Sequence, residues 1–109
     1  MKESSLPDGD RLLAMLAALA SPHRLRIIAA LTHSGRTYIS QLARQIGISR
    51  PLLHLHLQRL QETGLVTSKL ELSADGKALN YFEVTDFALH LTPATIAAAA
   101  NTLTPKSEL

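Results

Sequence analysis

Apolar residues recur at helical spacing along much of the chain, and Pro, Gly and polar residues divide them into segments. The first segment, residues 11–20, is apolar on every side. A helix with this composition needs neighbours on all its faces, and a single small domain cannot easily supply them. Asp8 or Asp10 is placed to cap the helix. Residues 1–9 are polar and contain Pro and Gly, which predicts a flexible N-terminal arm.

A second helix is predicted to begin after Ser21, because serine caps helix N-termini and Pro22 fits the first helical turn. Gly35 is expected to end it. Its apolar residues are expected to form one buried stripe: Leu25, Ile28, Ala29 and Leu31. Arg24 and Arg26 are expected to point away from that stripe.

The next two segments predict a helix-turn-helix. The third helix is short, and Gly47, which adopts positive φ easily, is expected to end it. Ser49 and Pro51 predict the start of a fourth helix that ends near Gly64. Apolar residues at helical spacing give both helices a core face: Ile39, Leu42, Ala43 and Ile46 in the third, and Leu53, Leu57 and Leu60 in the fourth.

The opposite arc of the fourth helix carries a mixed set of side chains: Arg50, Pro51, His54, Leu55, Gln58 and Arg59. Most of them suit a solvated or ligand-contacting face. Leu55 does not suit a solvated face, so we expect another molecule to cover it.

Residues 65–72 and 78–84 flank Asp75 and Gly76, a pair that favours a two-residue type I′ turn between two strands. A turn centred there sets the register of a β-hairpin. The expected cross-strand pairs are apolar: Leu72 opposite Leu79, and Leu70 opposite Tyr81.

The apolar phase slips by one residue near Asp86, which favours a bulge or bend in a strand that continues through residues 86–91. A helix over the same residues is the alternative. Thr92 and Pro93 predict the start of a last helix over residues 94–103. The predicted order is therefore four helices, two strands and a final helix.

The 109 residues fit one domain, predicted over residues 10–104, with a tail at 105–109. The formal net charge is only +2, but residues 11–61 contain seven arginines and no acidic residue. A solvated surface normally mixes both signs, so this segment indicates a surface for phosphate groups. Arginine also suits planar, bidentate recognition of phosphate or guanine.

Several functional classes lack support. The absence of cysteine excludes disulfides, thiolate metal sites and catalytic thiols, and is typical of a reducing cytoplasm. The histidines lack ligand spacing, and no catalytic motif occurs, so we expect no metal, no cofactor and no enzyme activity. No segment reaches the roughly 20 apolar residues of a membrane span. The residues ahead of 12–20 are not basic enough for a leader, so a cytoplasmic protein is expected.

Three stretches resemble the ArsR family of transcriptional repressors: LASPHRLRIIAAL (19–31), ISQLARQIGIS (39–49) and HLQRLQETGLV (56–66). The similarity extends over residues 12–84, including the hairpin. It implies a mainly α-helical winged helix-turn-helix with a small β-hairpin wing. It also implies a homodimer built from the first and last helices, with the fourth helix in the DNA major groove and the wing beside it.

The resemblance and the charge pattern together give a predicted DNA-binding set: Ser49, Arg50, Pro51, Leu52, His54, Leu55, Gln58, Arg59, Arg44, Lys69 and Lys77. The predicted dimer interface consists of apolar residues of the end helices: Leu12, Leu13, Met15, Leu16, Leu19, Ile96 and Leu103. The thiolate pair of one metal-sensing subgroup aligns with Tyr38 and Ser40, so that site is absent. Asp86 and His90 lack the second ligand pair of another subgroup.

The predicted function is a transcriptional regulator, expected to be a repressor, that binds a partly palindromic operator in double-stranded DNA as a homodimer. The alternative is a winged-helix module that binds another protein without specific DNA binding. Leu55 fits either function, since it can meet a thymine methyl group or a partner protein. What releases the protein from DNA stays open: a small-molecule effector between the end helices, a partner protein, or no effector.

Overall fold

The computed structural model describes residues 8–105, which fold into helices and a small three-stranded antiparallel sheet. The elements are, in chain order, α1 (Gly9–Leu19), α2 (Pro22–Ser34), β1 (Thr37–Tyr38), α3 (Ile39–Ile46), α4 (Arg50–Glu62), β2 (Val66–Leu72), β3 (Ala78–Val84) and α5 (Pro93–Ala100). Within this part of the chain, no single helix is long and apolar enough to cross a membrane. Taken together, α1 and α2 meet the length and composition criteria, but a 90° bend separates them.

Side-chain caps fix the starts of α1, α2, α4 and α5, as the sequence predicted, whereas α3 has no side-chain cap. Asp8 accepts a hydrogen bond of 2.9 Å from the backbone of Arg11, so α1 begins at Gly9. Ser21 and Ser49 cap α2 and α4 in the same way. Thr92 caps α5 in a reciprocal capping box with Thr95. Residues 1–7 of the predicted arm and 106–109 of the predicted tail lie outside the described residues.

The core lies between the helices and the inner face of the sheet. Its buried members are Met15, Ala18, Ile27, Leu31, Leu42, Ala43, Leu53, Leu57, Leu60, Leu65, Val66 and Phe82. The predicted core faces of α3 and α4 are confirmed in their central residues Leu42, Ala43, Leu53, Leu57 and Leu60.

The predicted stripe of α2 is confirmed at Leu31, which is buried, and at Ile28, which packs against the core, but it is wrong at Leu25 and Ala29, which are exposed. The buried residues of this helix are Ile27 and Leu31, whereas Leu25 is 54% exposed. Arg24 does not point away, because its guanidinium donates to the carbonyl oxygen of Ala18 at the end of α1 and to His56 in α4. Residues 24, 27 and 31 follow one another at helical spacing and share the inward face of α2.

The sheet order is β1-β3-β2, and β1 was not predicted. This strand has two residues, Thr37 and Tyr38, which pair with Phe82 and Tyr81. Two residues are too few to show an alternating pattern, so the strand could be found only from its pairing partner.

The predicted hairpin register is wrong by one residue: Leu72 pairs with Ala78, and Leu70 pairs with Asn80. The turn is longer than a type I′ turn. The Ser73 amide donates to the Lys77 carbonyl oxygen at 2.7 Å, and Gly76 alone in the turn has positive φ. A type I turn followed by a left-handed glycine gives this geometry. As a result, Leu70 and Leu72 lie on the opposite face from Leu79 and Tyr81 and are 68% and 74% exposed.

Residues 85–92 form neither a strand nor a helix, so both predictions for this segment are wrong. The backbone and hydroxyl of Thr85 donate to the carbonyl oxygens of Leu65 and Gly64, but the Leu65 amide donates to Leu60, so the pairing of β3 does not continue. Phe87 and Leu89 then pack against the core without regular backbone pairing. The last helix ends at Ala100 rather than at residue 103, and a turn follows it.

The chain after α5 is fastened to the start of α1. The Gly9 amide donates to the Thr102 hydroxyl at 2.6 Å, and the Thr104 amide donates to Asp10 at 3.0 Å. Gly9 is required for this approach, since a Cβ there would overlap the Ala99 carbonyl oxygen and the Leu103 side chain. The two end helices of the described chain therefore form one unit.

Candidate nucleic-acid interface

The outer arc of α4 is the best-formed candidate site. Leu53, Leu57 and Leu60 bury one side of the helix. Every residue of the predicted arc is exposed on the other side: Arg50, Pro51, His54, Leu55, Gln58 and Arg59. Ser49 and Leu52 are exposed at its N-terminal end. The structure therefore brings the predicted α4 residues together on one accessible surface.

The position of α4 is fixed at both ends. Gly47 ends α3 in the left-handed conformation, with φ of 83°, and Ser49 then caps α4 by accepting from the Leu52 amide. At the other end the Gln61 side-chain amide donates to the Ser68 hydroxyl in β2 at 3.0 Å. The outer arc is thus presented by a helix anchored to both α3 and the wing, where the wing is the hairpin of β2 and β3.

Three of the seven arginines in residues 11–61 bind other residues of the same chain through their side chains. Arg24 contacts Ala18 and His56 as described, and Arg11 donates to the Thr63 carbonyl oxygen at 3.4 Å. Arg36 binds the Glu71 carboxylate through two hydrogen bonds of 2.8 Å. The segment is therefore less available for phosphate groups than its net charge indicates.

The other four arginines are exposed, and their guanidinium groups take part in no hydrogen bond or ion pair found among residues 8–105: Arg26, Arg44, Arg50 and Arg59. Arg44 lies in the last turn of α3, while Arg50 and Arg59 lie at the first and last turns of α4. Three of these four arginines therefore lie on the helix-turn-helix.

His54 and His56 point in different directions, as their spacing predicted. His54 is exposed on the arc, whereas His56 turns inward, where its Nδ1 accepts from Arg24 at 3.0 Å. Its ring lies 5.3 Å from that of His23. Burial lowers the pKa of His56, and the electrostatic influence of Arg24 and His23 lowers it further. His56 is therefore a neutral packing residue at neutral pH.

The wing carries both predicted lysines, but also acidic groups. Lys69 and Lys77 are exposed, and the Lys69 ammonium lies 3.8 Å from the Glu71 carboxylate. Asp75 at the tip accepts from the Ser73 hydroxyl, and this hydrogen bond lowers the pKa of Asp75. The wing therefore offers isolated cations rather than a basic strip.

A second surface lies between α1 and α5, where an apolar cleft of about 140 Å³ opens to solvent. Its lining comprises Gly9, Leu12, Leu13, Leu16, Ile96, Ala99, Ala100 and Leu103. Four of the predicted dimer residues, Leu13, Leu16, Ile96 and Leu103, are at least partly exposed there. Met15 lies in the protomer's own core, Leu12 is buried at the base of the cleft, and Leu19 packs against the core.

The described residues contain no group of three or more His, Asp or Glu side chains that could hold a metal ion. Asp86 and His90 are both exposed on the irregular segment that precedes α5. These positions supply no enclosed ligand set.

Sequence reasoning missed two features that shape these surfaces. Leu70 and Leu72 are exposed on the wing, and only the observed register shows it. Gly9 and the small residues Ala99 and Ala100 form part of the cleft between α1 and α5. The apolar residues of the end helices pointed to this surface, but the close packing at Gly9 could be recognised only from the structure.

Comparison with known proteins supports the fold and the helix-turn-helix. A family described as a helix-turn-helix domain matches residues 19–69. An uncharacterized HTH-type transcriptional regulator of Methanocaldococcus jannaschii is 30% identical over 74 residues, which are 68% of this chain and 76% of that protein.

Solved structures of similar proteins have the same fold. The transcriptional repressor BigR from Xylella fastidiosa is 26% identical, with a TM-score of 0.59 over 71% of this chain and 72% of that one. The homodimeric winged helix-turn-helix DNA-binding domain of a possible ArsR-family regulator from Mycobacterium bovis is 23% identical, with a TM-score of 0.61 over 75% of both chains. The chain therefore belongs to the helix-turn-helix transcriptional regulators, DNA-binding proteins, and has the winged fold of the ArsR family that its sequence resembles.

Proposed function

We propose that this regulator is a repressor that binds a partly palindromic operator in double-stranded DNA as a homodimer. The observation that carries the proposal is the exposed arc of α4 together with the unpartnered arginines of the helix-turn-helix. In a two-fold dimer the two α4 helices enter successive major grooves about one helical turn apart. An operator occupied in this way is closed to other proteins, so occupancy alone represses.

The arginines divide by position. Arg50, in the first turn of α4, can extend two parallel hydrogen bonds to the O6 and N7 atoms of guanine. Arg44 and Arg59 are placed at the ends of the helices, where they suit phosphate oxygens. Ser49, Pro51, Leu52, His54 and Gln58 complete the α4 contact surface, and Lys69 and Lys77 of the wing reach the DNA backbone beside it.

The dimer contact is proposed at the cleft between α1 and α5. Leu13 is 59% exposed there, and Ile96 and Leu103 are also exposed. A contiguous apolar surface of this kind is typical of a protein interface. The homodimeric state of the Mycobacterium bovis domain, which has the same fold, supports a homodimer.

Selection of bound duplexes from random DNA, followed by sedimentation of the complex, tests the proposal. We expect a two-fold symmetric motif with half-sites about 10 base pairs apart and two protomers on each duplex. An unordered pool of sequences, or one protomer on each duplex, would overturn it.

A second candidate function, docking of another protein, is favoured by the exposed leucines Leu55, Leu70 and Leu72. Salt dependence separates the two functions. DNA binding weakens with a log–log slope of about −0.9 for each phosphate neutralised, whereas an apolar protein interface responds much less to salt.

A further inference from the structure

We infer that Leu55 determines operator specificity by contacting the C5-methyl group of a thymine, an inference that rests on the DNA-binding function proposed above. Leu55 is 62% exposed. At about 100° per residue it lies about 200° from both Leu53 and Leu57, which are buried. It therefore occupies the middle of the outer arc rather than its edge.

No other surface of the described chain accounts for Leu55. It is not among the core residues or those packed against the core, and the apolar cleft of α1 and α5 does not include it. Its neighbours one turn away are Pro51 and Arg59, both exposed. With Pro51 and the exposed Leu52 beside it, the leucine forms a small apolar spot between proposed DNA-contacting positions, not the edge of the proposed dimer interface.

The chemistry of the major groove selects thymine as its partner. Guanine, cytosine and adenine present only hydrogen-bond donors and acceptors on that edge, while thymine also presents a methyl group. A leucine side chain can neither donate nor accept. Placed against any other base edge, it would displace water from polar atoms and leave them unpaired, which is unfavourable.

The position of Leu55 along α4 suits a close approach to the bases. Glu62 lies at the C-terminal end of the helix, where its carboxylate accepts from Gln58 at 3.3 Å. This carboxylate offsets the positive charge of Arg59 at the same end, whereas α4 has no acidic residue near Arg50 at its N-terminal end. The N-terminal half of α4, which contains Leu55, is therefore the half that enters the groove most deeply.

Uracil in place of thymine provides the test, because it pairs identically and lacks only the methyl group. The probe is a duplex recovered by selection from random DNA, synthesised with thymine or with deoxyuridine at each thymine position in turn. We expect the wild-type protein to lose about fourfold in affinity for each contacted methyl, and about 15-fold when both half-sites are substituted. The Leu55→Ala variant should bind the two duplexes equally. The control Leu25→Ala changes a leucine of similar exposure on α2 and should keep the wild-type difference.

Each failure has its own meaning. Tight wild-type binding with no thymine–uracil difference at any position would overturn the inference and leave the proposed function standing. A difference that persists in Leu55→Ala would also overturn it. If Leu55→Ala binds thymine duplexes as tightly as the wild type does, Leu55 belongs to a protein interface instead. Absence of binding to every duplex, even at low salt, would overturn the proposed function and the inference together.

Discussion

Arg36 and Glu71 form a bidentate ion pair with two hydrogen bonds of 2.8 Å, across 35 positions of sequence. The guanidinium also lies over the ring of Tyr81, 4.4 Å from its centre. Arg36 precedes β1, whereas Glu71 and Tyr81 belong to the two strands of the wing. This pair therefore links the body of the protein to the wing at its outer face.

The Arg36→Ala variant should loosen the wing without unfolding the protein. The ion pair is solvent-exposed, and such pairs contribute little to global stability. We expect faster amide hydrogen exchange in β2 and β3, with a nearly unchanged thermal midpoint. Arg26→Ala, which removes an exposed arginine without a partner among the described residues, is the control. Unchanged exchange in the wing of Arg36→Ala would contradict the assigned link.

The same pair should respond to acid. Hydrogen bonding by Arg36 lowers the pKa of the Glu71 carboxyl, and the same hydrogen bonds raise the pKa of Arg36. Since the folded pKa of Glu71 is depressed, its contribution is complete above the unfolded pKa and is lost as pH falls through the folded value. Ring signals of Tyr81 in NMR spectra should titrate below the pH of an ordinary glutamate. In Glu71→Gln this titration should disappear, and its persistence would assign it to another group.

Base-reading and phosphate-contacting residues of the proposed interface should separate in binding assays. Arg50→Ala and His54→Ala should reduce the preference for the selected operator over random DNA, by about 1 to 3 kcal/mol for the arginine. Arg44→Ala should weaken binding to both DNAs alike and lower the salt slope by about one per protomer. Equal losses on both DNAs for all three variants would reject the assigned roles.

Local chemistry explains why much of the fold was predictable. A capping side chain such as Ser49 bonds to a backbone amide three residues away, and the buried leucines of α4 repeat along one helix face. The cap and the leucine spacing each involve residues that are close together in the sequence, so both could be recognised without the structure. The outer arc of α4 follows from the same spacing, so most of the candidate site could be read from the sequence.

Long-range pairing explains what was missed. Nothing near Arg36 in the sequence indicates that Glu71 neutralises it, nor does anything near Arg24 point to His56. The predicted register was wrong because a type I′ turn requires positive φ at both central residues, Asp75 and Gly76. In the structure only Gly76 has positive φ, so the turn is longer than predicted. Charge counted along the chain therefore overstated the basic surface, and a one-residue error in the turn moved the wing leucines to the wrong face.

A substitution at the exposed Leu13 should break the proposed dimer without unfolding the protomer. Leu13→Glu places a charge in the cleft between α1 and α5 without disturbing the core, because Leu13 is 59% exposed. Sedimentation should show a folded monomer, and DNA affinity should fall because only one half-site is engaged. Leu25→Glu, at a leucine of comparable exposure outside the cleft, should sediment as a dimer. A dimeric Leu13→Glu protein would place the interface elsewhere.

The contact between α1 and α5 depends on a missing side chain at Gly9. In a free helix, Gly→Ala is stabilising by about 0.5 to 1 kcal/mol, because glycine loses more backbone entropy on folding. Here the added Cβ would overlap the Ala99 carbonyl oxygen, so backbone must move. We expect the opposite sign, a loss of about 1 to 3 kcal/mol in the free energy of unfolding by urea. Ala14→Met, which adds more volume at an exposed α1 position outside the cleft, should leave stability nearly unchanged.

A stabilised Gly9→Ala protein would mean that α5 does not pack against α1 in solution. The cleft between these two helices could then not form the proposed dimer contact.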